Sequence, residues 1–361
     1  MVRAFLIFFL IQSVLNAEEI IPSLMPVPVG GNFCRYIDEE GNFKFKIYYK
    51  CSDFESDLAV VYARDYSHIL IDQKGREIRK LPSGYEYIGV KNGKIKIRKD
   101  WLFGMLNLDG SIFIKPIYFS LGYESEGRIA YCIKRSQGCG YLDPSGEKKL
   151  GGDFIQVDDF KNKAAKVLSK ENQTIIMDQE GKSILPIGTE APCGIGEGLF
   201  PIISGPNKEI RYYSLDGKSK DLPKGVRLVS PFSEGLSFFF KDRSFGILDE
   251  KFEILWEKPF PDLNDYFVYE HIPVTDRDRQ YSVCHFPHQY RSGFALIRRN
   301  EAPYYYEFWD TKGTKLGTVG FTDAQPFRGN LAKVEFAKEH LIYHGILNRS
   351  GKIIYTYFKT D

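Results

Sequence analysis

The side chains from which this chain could build a reactive or metal-binding site are its cysteines, histidines and acids. The densest group is Cys284-His285-Phe286-Pro287-His288, with His271, Asp276 and Asp278 nearby. Zinc requires about four such ligands in a tetrahedron. The spacing here fits no zinc finger and Pro287 opposes a helix, so the stretch reads as a polar surface loop. His340 and His344 would share a helix face, but their surroundings carry a strand-and-turn pattern. A recurring Asp-x-x-Gly lacks the alternate acids of a calcium loop. The chain has no Gly-x-Ser-x-Gly elbow, no phosphate-cradling glycine loop ahead of a helix, and no Ser-x-Asp-x-Gly-x-Thr-Trp motif of sialidase-like propellers. The enzyme reading that survives is a glycan hydrolase whose two carboxylates, about 5 or 9 Å apart, project from different structural units. No catalytic, cofactor or metal-binding residue is predicted.

The cysteines point instead to structure. Residues 1–17 read as a secretory signal: Arg3, the apolar run Ala4 to Ile11, then Leu15-Asn16-Ala17 before Glu18-Glu19. The run is shorter than the roughly 20 apolar residues that span a bilayer, and no later stretch approaches that length. Cys34, Cys51, Cys132, Cys139, Cys193 and Cys284 all follow it. An even count in an oxidising compartment permits three disulfides, in about fifteen connectivities. Cys132 and Cys139 flank a predicted hairpin turn, Lys134 to Gly138, and are the best local pair; Cys34 with Cys51 is the second. The alternative is that several are free, buried, small apolar residues.

Lys and Arg number 49 against 47 Asp and Glu, so no polybasic nucleic-acid binder is expected. The basic stretch Lys91 to Lys99 reads as a charged strand face. Aromatic residues make up 15% of the chain, a bias toward strands. A short pattern recurs: an apolar pair, Asp or Asn, two variable residues, Gly. Its first and fourth positions are Asp38 and Gly41, Asp72 and Gly75, Asn107 and Gly110, Asp143 and Gly146, Asp178 and Gly181, Asp310 and Gly313, and Asn348 and Gly351. Weaker copies end at Gly217 and at Phe252, where the turn is expected to differ. Successive spacings are 34, 35, 36, 35, 36, 35, 61 and 38 residues. Each copy is a type I turn capped by the acid or amide and closed by a left-handed Gly, which joins two strands. Proline is expected to end the outgoing strand, as in Ser111 to Pro116. A second marker, an acidic or polar cluster with Gly and then a large and usually a small residue, recurs ahead of the turns; its last position falls at 59, 96, 130, 165, 200, 237, 295 and 332 and is small in six of the eight, Lys96 and Phe200 being the exceptions.

Together these markers resemble the WG-repeat (KWG-repeat) family. Phe232-Ser233-Glu234-Gly235-Leu236-Ser237 followed by Phe245-Gly246-Ile247-Leu248-Asp249 is a close copy, and Cys139-Gly140-Tyr141-Leu142-Asp143 another. Phe103-Gly104 and His344-Gly345 hold the same slot, always without the Trp of the family pattern. The resemblance covers nearly all of the chain after residue 17. It implies a repeat fold and no particular chemistry.

The sequence therefore predicts an all-β array of eight to nine three-stranded repeats of about 35 residues. A propeller-like ring is favoured over an open twisted array. A short fourth strand could come from segments such as Ile117-Tyr118-Phe119, and Phe336 to Tyr343 could form a turn or two of helix. The expected organisation is a signal at 1–17 and one repeat domain at 18–361, with a protruding insertion at about 256–290. The expected role is an exported, non-enzymatic protein in the periplasm, on the cell surface or secreted, with no membrane span left after signal removal. It would bind a protein or envelope component and no nucleic acid; the alternatives are an envelope structural protein without a specific ligand, or the glycan hydrolase.

Overall fold

A computed structural model describes residues 24–358 except 56, 136, 186, 188–196, 198, 205–208, 227, 230–231, 242–243, 260–289, 299–305, 318–319 and 340. The described residues form nine small antiparallel sheets and no helix. Each sheet is a blade built from neighbouring segments of chain: 25–48, 50–80, 86–118, 120–154, 156–185, 199–220, 228–259, 290–317 and 323–357. Blade 3 shows the full plan: Glu86–Lys91, Lys94–Lys99, Leu102–Asn107 and Ile112–Tyr118 pair in that order as a four-stranded meander.

The third and fourth strands are joined by the recurring turn. In all nine blades the residue at the Gly position donates its amide to the carbonyl three residues earlier, from Gly41 to Asp38 through Gly351 to Asn348. In seven blades the side-chain oxygen of the Asp or Asn accepts from the amides two and four residues on, as Asp72 does from Lys74 and Arg76, both at 2.9 Å. In blade 3 this cap comes from Asp109, which accepts from the Ser111 amide at 2.8 Å. Phe252 keeps the same turn rather than a different one. It takes φ +65°, its amide reaches Asp249 O at 2.8 Å, and its ring packs on Tyr212 and Phe232.

The first and second strands meet in a two-residue turn with positive φ at both positions: Asn92-Gly93, Glu126-Gly127, Asn162-Lys163, Glu234-Gly235 and Ser292-Gly293. That is the type I′ hairpin geometry, which leaves two backbone amides facing outward. In three of the five a Glu of the preceding blade takes both. Glu126 accepts from Asn162 and Lys163 at 2.7 Å each, Glu197 from Glu234 and Gly235, and Glu234 from Ser292 and Gly293. Because carboxylate–amide bonds are charge-assisted, they join blades more firmly than neutral contacts would.

The core lies between blades rather than within them. There are nine clusters of buried apolar residues, one per seam. Val60, Leu70 and Leu81 of blade 2, for example, meet Val90, Ile95, Ile97 and Leu106 of blade 3. Nine blades in an open array have eight seams; the ninth cluster joins Leu331 and Ile346 of blade 9 to Met25, Val27 and Ile37 of blade 1, so the array is a closed ring. Aromatic residues just ahead of the second strands fill the seams: Phe54 lies against Tyr36, Phe160 against Tyr141 and Phe327 against Phe308, with centroids 4.8, 4.8 and 4.9 Å apart.

Several expectations are corrected. The fourth strand precedes the Leu-Ala strand, as Ser120–Ser125 does in blade 4, and Ile117 and Tyr118 end the outgoing strand of blade 3. Pro116 does not stop that strand, because it sits on the sheet's outer edge at a register shift opposite Gly104, where no ladder amide is needed. Phe336 to Tyr343 lies in the hairpin of Leu331–Lys338 and Leu341–Asn348, not in a helix. Residues 256–259 and Tyr290 belong to strands, so the excess chain is confined to 260–289, outside the described residues. The register also moves the small slot by one residue in two blades: Ile95 and Ile129, not Lys96 and Ala130, align with Ala59.

The turn glycines allow a direct test of ring closure. Gly41 has φ +86°, and a Cβ there would stand 2.8 Å from Ile354 O of blade 9; Gly84 has φ +89° and open space around it. Gly84→Ala should cost about 1 kcal/mol, the penalty for positive φ. Gly41→Ala should cost a further ~1–3 kcal/mol for displacing packed backbone. Equal losses in urea unfolding would mean that the Gly41–Ile354 contact does not hold the ring.

Candidate functional site

Once the seam aromatics are assigned, a second set of rings is left over, on the side of blades 1 to 3 where the second strand turns into the third. Phe33 meets Tyr49 at 5.9 Å, Tyr49 meets Tyr62 and Tyr66 at 5.5 and 5.9 Å, and His68 stacks between Tyr62 and Tyr87 at 4.3 and 4.6 Å. Burial, and then the charge of Lys50, hold the His68 imidazole below its ordinary pKa. Cations cover the rim of this strip: Arg64 lies over Phe33, Lys99 over Tyr85 and Arg98 over Trp101. Trp101 is 79% exposed and Tyr66 68%, at φ +67° and +62°. Left-handed backbone at bulky residues is costly and concentrates at binding and catalytic positions. Tyr, Trp and Arg are also the residue types that dominate binding hot spots.

The strip continues along the second strand of blade 3. Lys94, Lys96 and Arg98 alternate with the buried Ile95 and Ile97, so all three cations face one way. Lys94 lies over Phe113, Lys96 over Phe103 and Tyr123, and Arg98 over Trp101 and Phe103. The basic stretch of the sequence is thus a ladder of cation–aromatic contacts. It leads to a cleft of about 540 Å³ between blades 3, 4 and 5, lined by Lys96, Phe103, Leu121, Gly122, Val157, Asp158, Asp159 and Lys166 among others. Burial lowers the Lys96 pKa against the pull of the Asp159 and Glu55 charges. Burial likewise raises that of Asp159 against Lys96, Lys161 and Lys91.

The fourteen turn residues form the turns between third and fourth strands described above, and none of them lines this cleft. Two disulfides are present among the described residues. Cys132–Cys139 links directly paired strands within blade 4, Cα atoms 3.9 Å apart; Cys34–Cys51 staples blade 1 to blade 2 across 6.0 Å. The second lies beside Phe33 and Tyr49 and so fixes one end of the strip. Cys193, Cys284, His285, His288, His271, Asp276, Asp278 and His340 lie outside the described residues. His344 stands in a strand, 3.7 Å from Glu335. Among the described residues, no group of three or more His, Cys, Asp or Glu is placed to hold a metal, and no helix is long and apolar enough to cross a membrane. Sequence reasoning missed the strip and the cleft. The strip's signal was present as tyrosines that recur outside the repeat slots, at 49, 62, 66, 85 and 87.

A scan against protein-family models finds no match, and a sequence search of curated proteins finds none. Among solved structures, the chain is similar to one described as the crystal structure of the eukaryotic initiation factor, at 10% identity and TM-score 0.53, over 90% of this chain and 92% of that one. BamB from Moraxella catarrhalis matches at 9% identity and TM-score 0.37, over 82% and 93% of the two chains. Hsv2 from Kluyvelomyces marxianus matches at 7% and 0.34, over 63% and 92%. The likeness to the initiation factor is one of fold.

Two outcomes follow from the turns and the staple. Ser214 and Lys218 hold the Asp216 carboxyl down to about 2; Asp38 also reaches about 2, burial opposing but Lys44 and Asn42 outweighing it. Asp72, Asp109 and Asp143 are depressed as well. In the unfolded chain these groups titrate near ~3.9. Their contribution is therefore complete above about pH 4 and is lost as the pH falls toward about 2. Urea midpoints should drop across that window, and a flat profile there would contradict the turn assignment. Cys34→Ser should remove about 3 kcal/mol, as expected for a loop of 17 residues. The readout is the shift in urea midpoint; no shift would show that the staple does not constrain the ring.

Proposed function

We propose that the protein is an exported, non-enzymatic β-propeller of diverged WG-type repeats that binds another macromolecule through the aromatic strip of blades 1 to 3. The observation that carries this reading is the strip itself. Single rings such as Phe43, Phe119 and Phe358 are exposed elsewhere, but here Tyr49, Tyr62 and Tyr87 form a contiguous half-buried group around His68, with Tyr66, Trp101 and Arg64 exposed at its edge, although burying those rings would favour folding. Export is supported by the N-terminal signal pattern and by two disulfides, which persist in oxidising compartments. The Gly in the family's second position supports the repeat reading: Gly104, Gly140 and Gly246 each face the outgoing strand so closely that a Cβ would strike its backbone.

The test is a pair of exposed-ring variants. Immobilised mature protein should capture a saturable partner from an envelope extract. Tyr66→Ala with Trp101→Ala should weaken that partner's equilibrium binding at least ~30-fold, the scale of one hot-spot residue at about 2 kcal/mol, while leaving the urea midpoint unchanged. Undiminished capture by the double variant would remove the strip as the binding surface. The lack of any saturable partner would favour a structural role in the envelope.

A further inference from the structure

The cleft between blades 3, 4 and 5 holds two opposite charges that the fold leaves without a direct partner. Lys96 and Asp159 sense each other electrostatically, yet neither makes a hydrogen bond or an ion pair among the described residues. The neighbouring acid is already used, since Asp158 pairs with Lys166 at 3.7 Å. The ring contains the same arrangement a second time. Lys333 occupies in blade 9 the strand position that Lys96 occupies in blade 3, and Asp53 precedes Phe54 as Asp159 precedes Phe160. In both places the lysine and the acid stand two blades apart. Lys333 and Asp53 close directly, at 3.2 Å, with Arg328 on the same carboxylate at 3.0 Å. Lys96 and Asp159 do not close.

The difference has a visible cause. Blade 1, between Lys333 and Asp53, has no first strand among the described residues, whereas blade 4 puts Ser120–Ser125 between Lys96 and Asp159. Gly122 of that strand leaves room for the acid: a Cβ there would stand 2.6 Å from Asp159 Oδ1. The ammonium of Lys96 is held by Phe103 and Tyr123, at 5.2 and 5.4 Å from the ring centroids. Leu121 and Val157 add an apolar wall. Partly buried charges held apart in a cleft with an apolar side are the features of a binding site for a small polar molecule.

We propose that this cleft binds a small zwitterion of the α-amino-acid type with an apolar side chain. Its ammonium pairs with Asp159, its carboxylate with Lys96, and its side chain lies against Leu121 and Val157. A ligand bearing both charges completes both protein groups at once, which a neutral polyol or a singly charged ion does not.

The experiment is isothermal titration of the disulfide-bonded protein with leucine, leucinamide and N-acetylleucine. Leucine should bind saturably at one site. Leucinamide, lacking the carboxylate, and N-acetylleucine, lacking the ammonium, should each bind at least tenfold more weakly. Lys96→Met and Asp159→Asn should each weaken leucine by the same order, with Leu341→Ala, exposed in blade 9 and outside the cleft, as a variant that leaves it unchanged. Absence of leucine binding, or equal binding of the two blocked derivatives to the unaltered protein, overturns the proposal whether or not the variants fold. The second result would show that the cleft holds an internal pair bridged by solvent.

Discussion

The contact on which the ring depends is the nesting of each blade's turn against the outgoing strand of the blade before it. A Cβ on Gly75 would strike the ring of Phe45, one on Gly110 would meet Pro82 at 3.2 Å, one on Gly146 would meet Ile114 at 3.3 Å, and one on Gly181 would meet Leu150 at 3.2 Å. The pattern holds at the junction of the chain's two ends, where Gly41 meets Ile354. Glycine is therefore required twice over, by its left-handed φ and by the backbone approach it permits. Phe252 tests this explanation. It adopts the same φ, but its side chain turns the close approach into an aromatic contact with Tyr212 of the preceding blade, with the Lys220 ammonium 5.5 Å from its ring. What the slot demands is a way of filling the seam, and either a missing side chain or a large flat one supplies it.

Closure of the ring follows from the same local rule. Among the described residues, blade 1 begins at Met25 with the strand equivalent to the second strand of the other blades, and blade 9 has four strands. The place of a first strand in blade 1 is crossed by polar contacts, Arg328 and Lys333 to Asp53 and Asn330 to Glu39 at 2.6 Å. Exposed ion pairs contribute little each, about 0–1 kcal/mol. The apolar cluster of Met25, Val27, Ile37, Leu331 and Ile346 therefore carries the seam, and the ionic contacts chiefly fix its register. Cys34–Cys51 then ties the N-terminal blade to its other neighbour, so that blade 1 is held on both sides.

The sequence made the period, the turn and the seam aromatics legible because each is fixed by local chemistry: a capped turn, a left-handed residue, a large apolar side chain at a constant offset. It misled where pairing decides. The marker spacing puts Lys96 and Ala130 level with Ala59, yet cross-strand register assigns that place to Ile95 and Ile129, and a one-residue slip reverses which face each side chain takes. The fourth strand was misplaced because Ile117 and Tyr118 have strand character in either blade, and only pairing with Phe103 settles their membership. The cleft was invisible for a different reason. Lys96 and Asp159 are 63 positions apart in the chain, and only the geometry of a closed ring brings blades 3 and 5 to one cavity.

These corrections fall together in space. The blade that carries the basic stretch, with Asn92-Gly93-Lys94-Ile95-Lys96 at its first hairpin, is the blade that joins the aromatic strip to the cleft. Its turn and its apolar strand residues obey the repeat: Asn92 and Gly93 take the type I′ conformation, and Ile95 and Ile97 fill the seam. Only the alternate face departs, with lysine, lysine and arginine where blade 2 has Leu58, Val60 and Tyr62. In blade 2 that face packs Val60 into the seam with blade 3, whereas in blade 3 the seam with blade 4 is filled by Met105, Ile114 and Tyr118, and the three cations lie on Phe113, Phe103, Tyr123 and Trp101. Local rules broken on one face and kept on the other mark a surface shaped by what it contacts rather than by the fold.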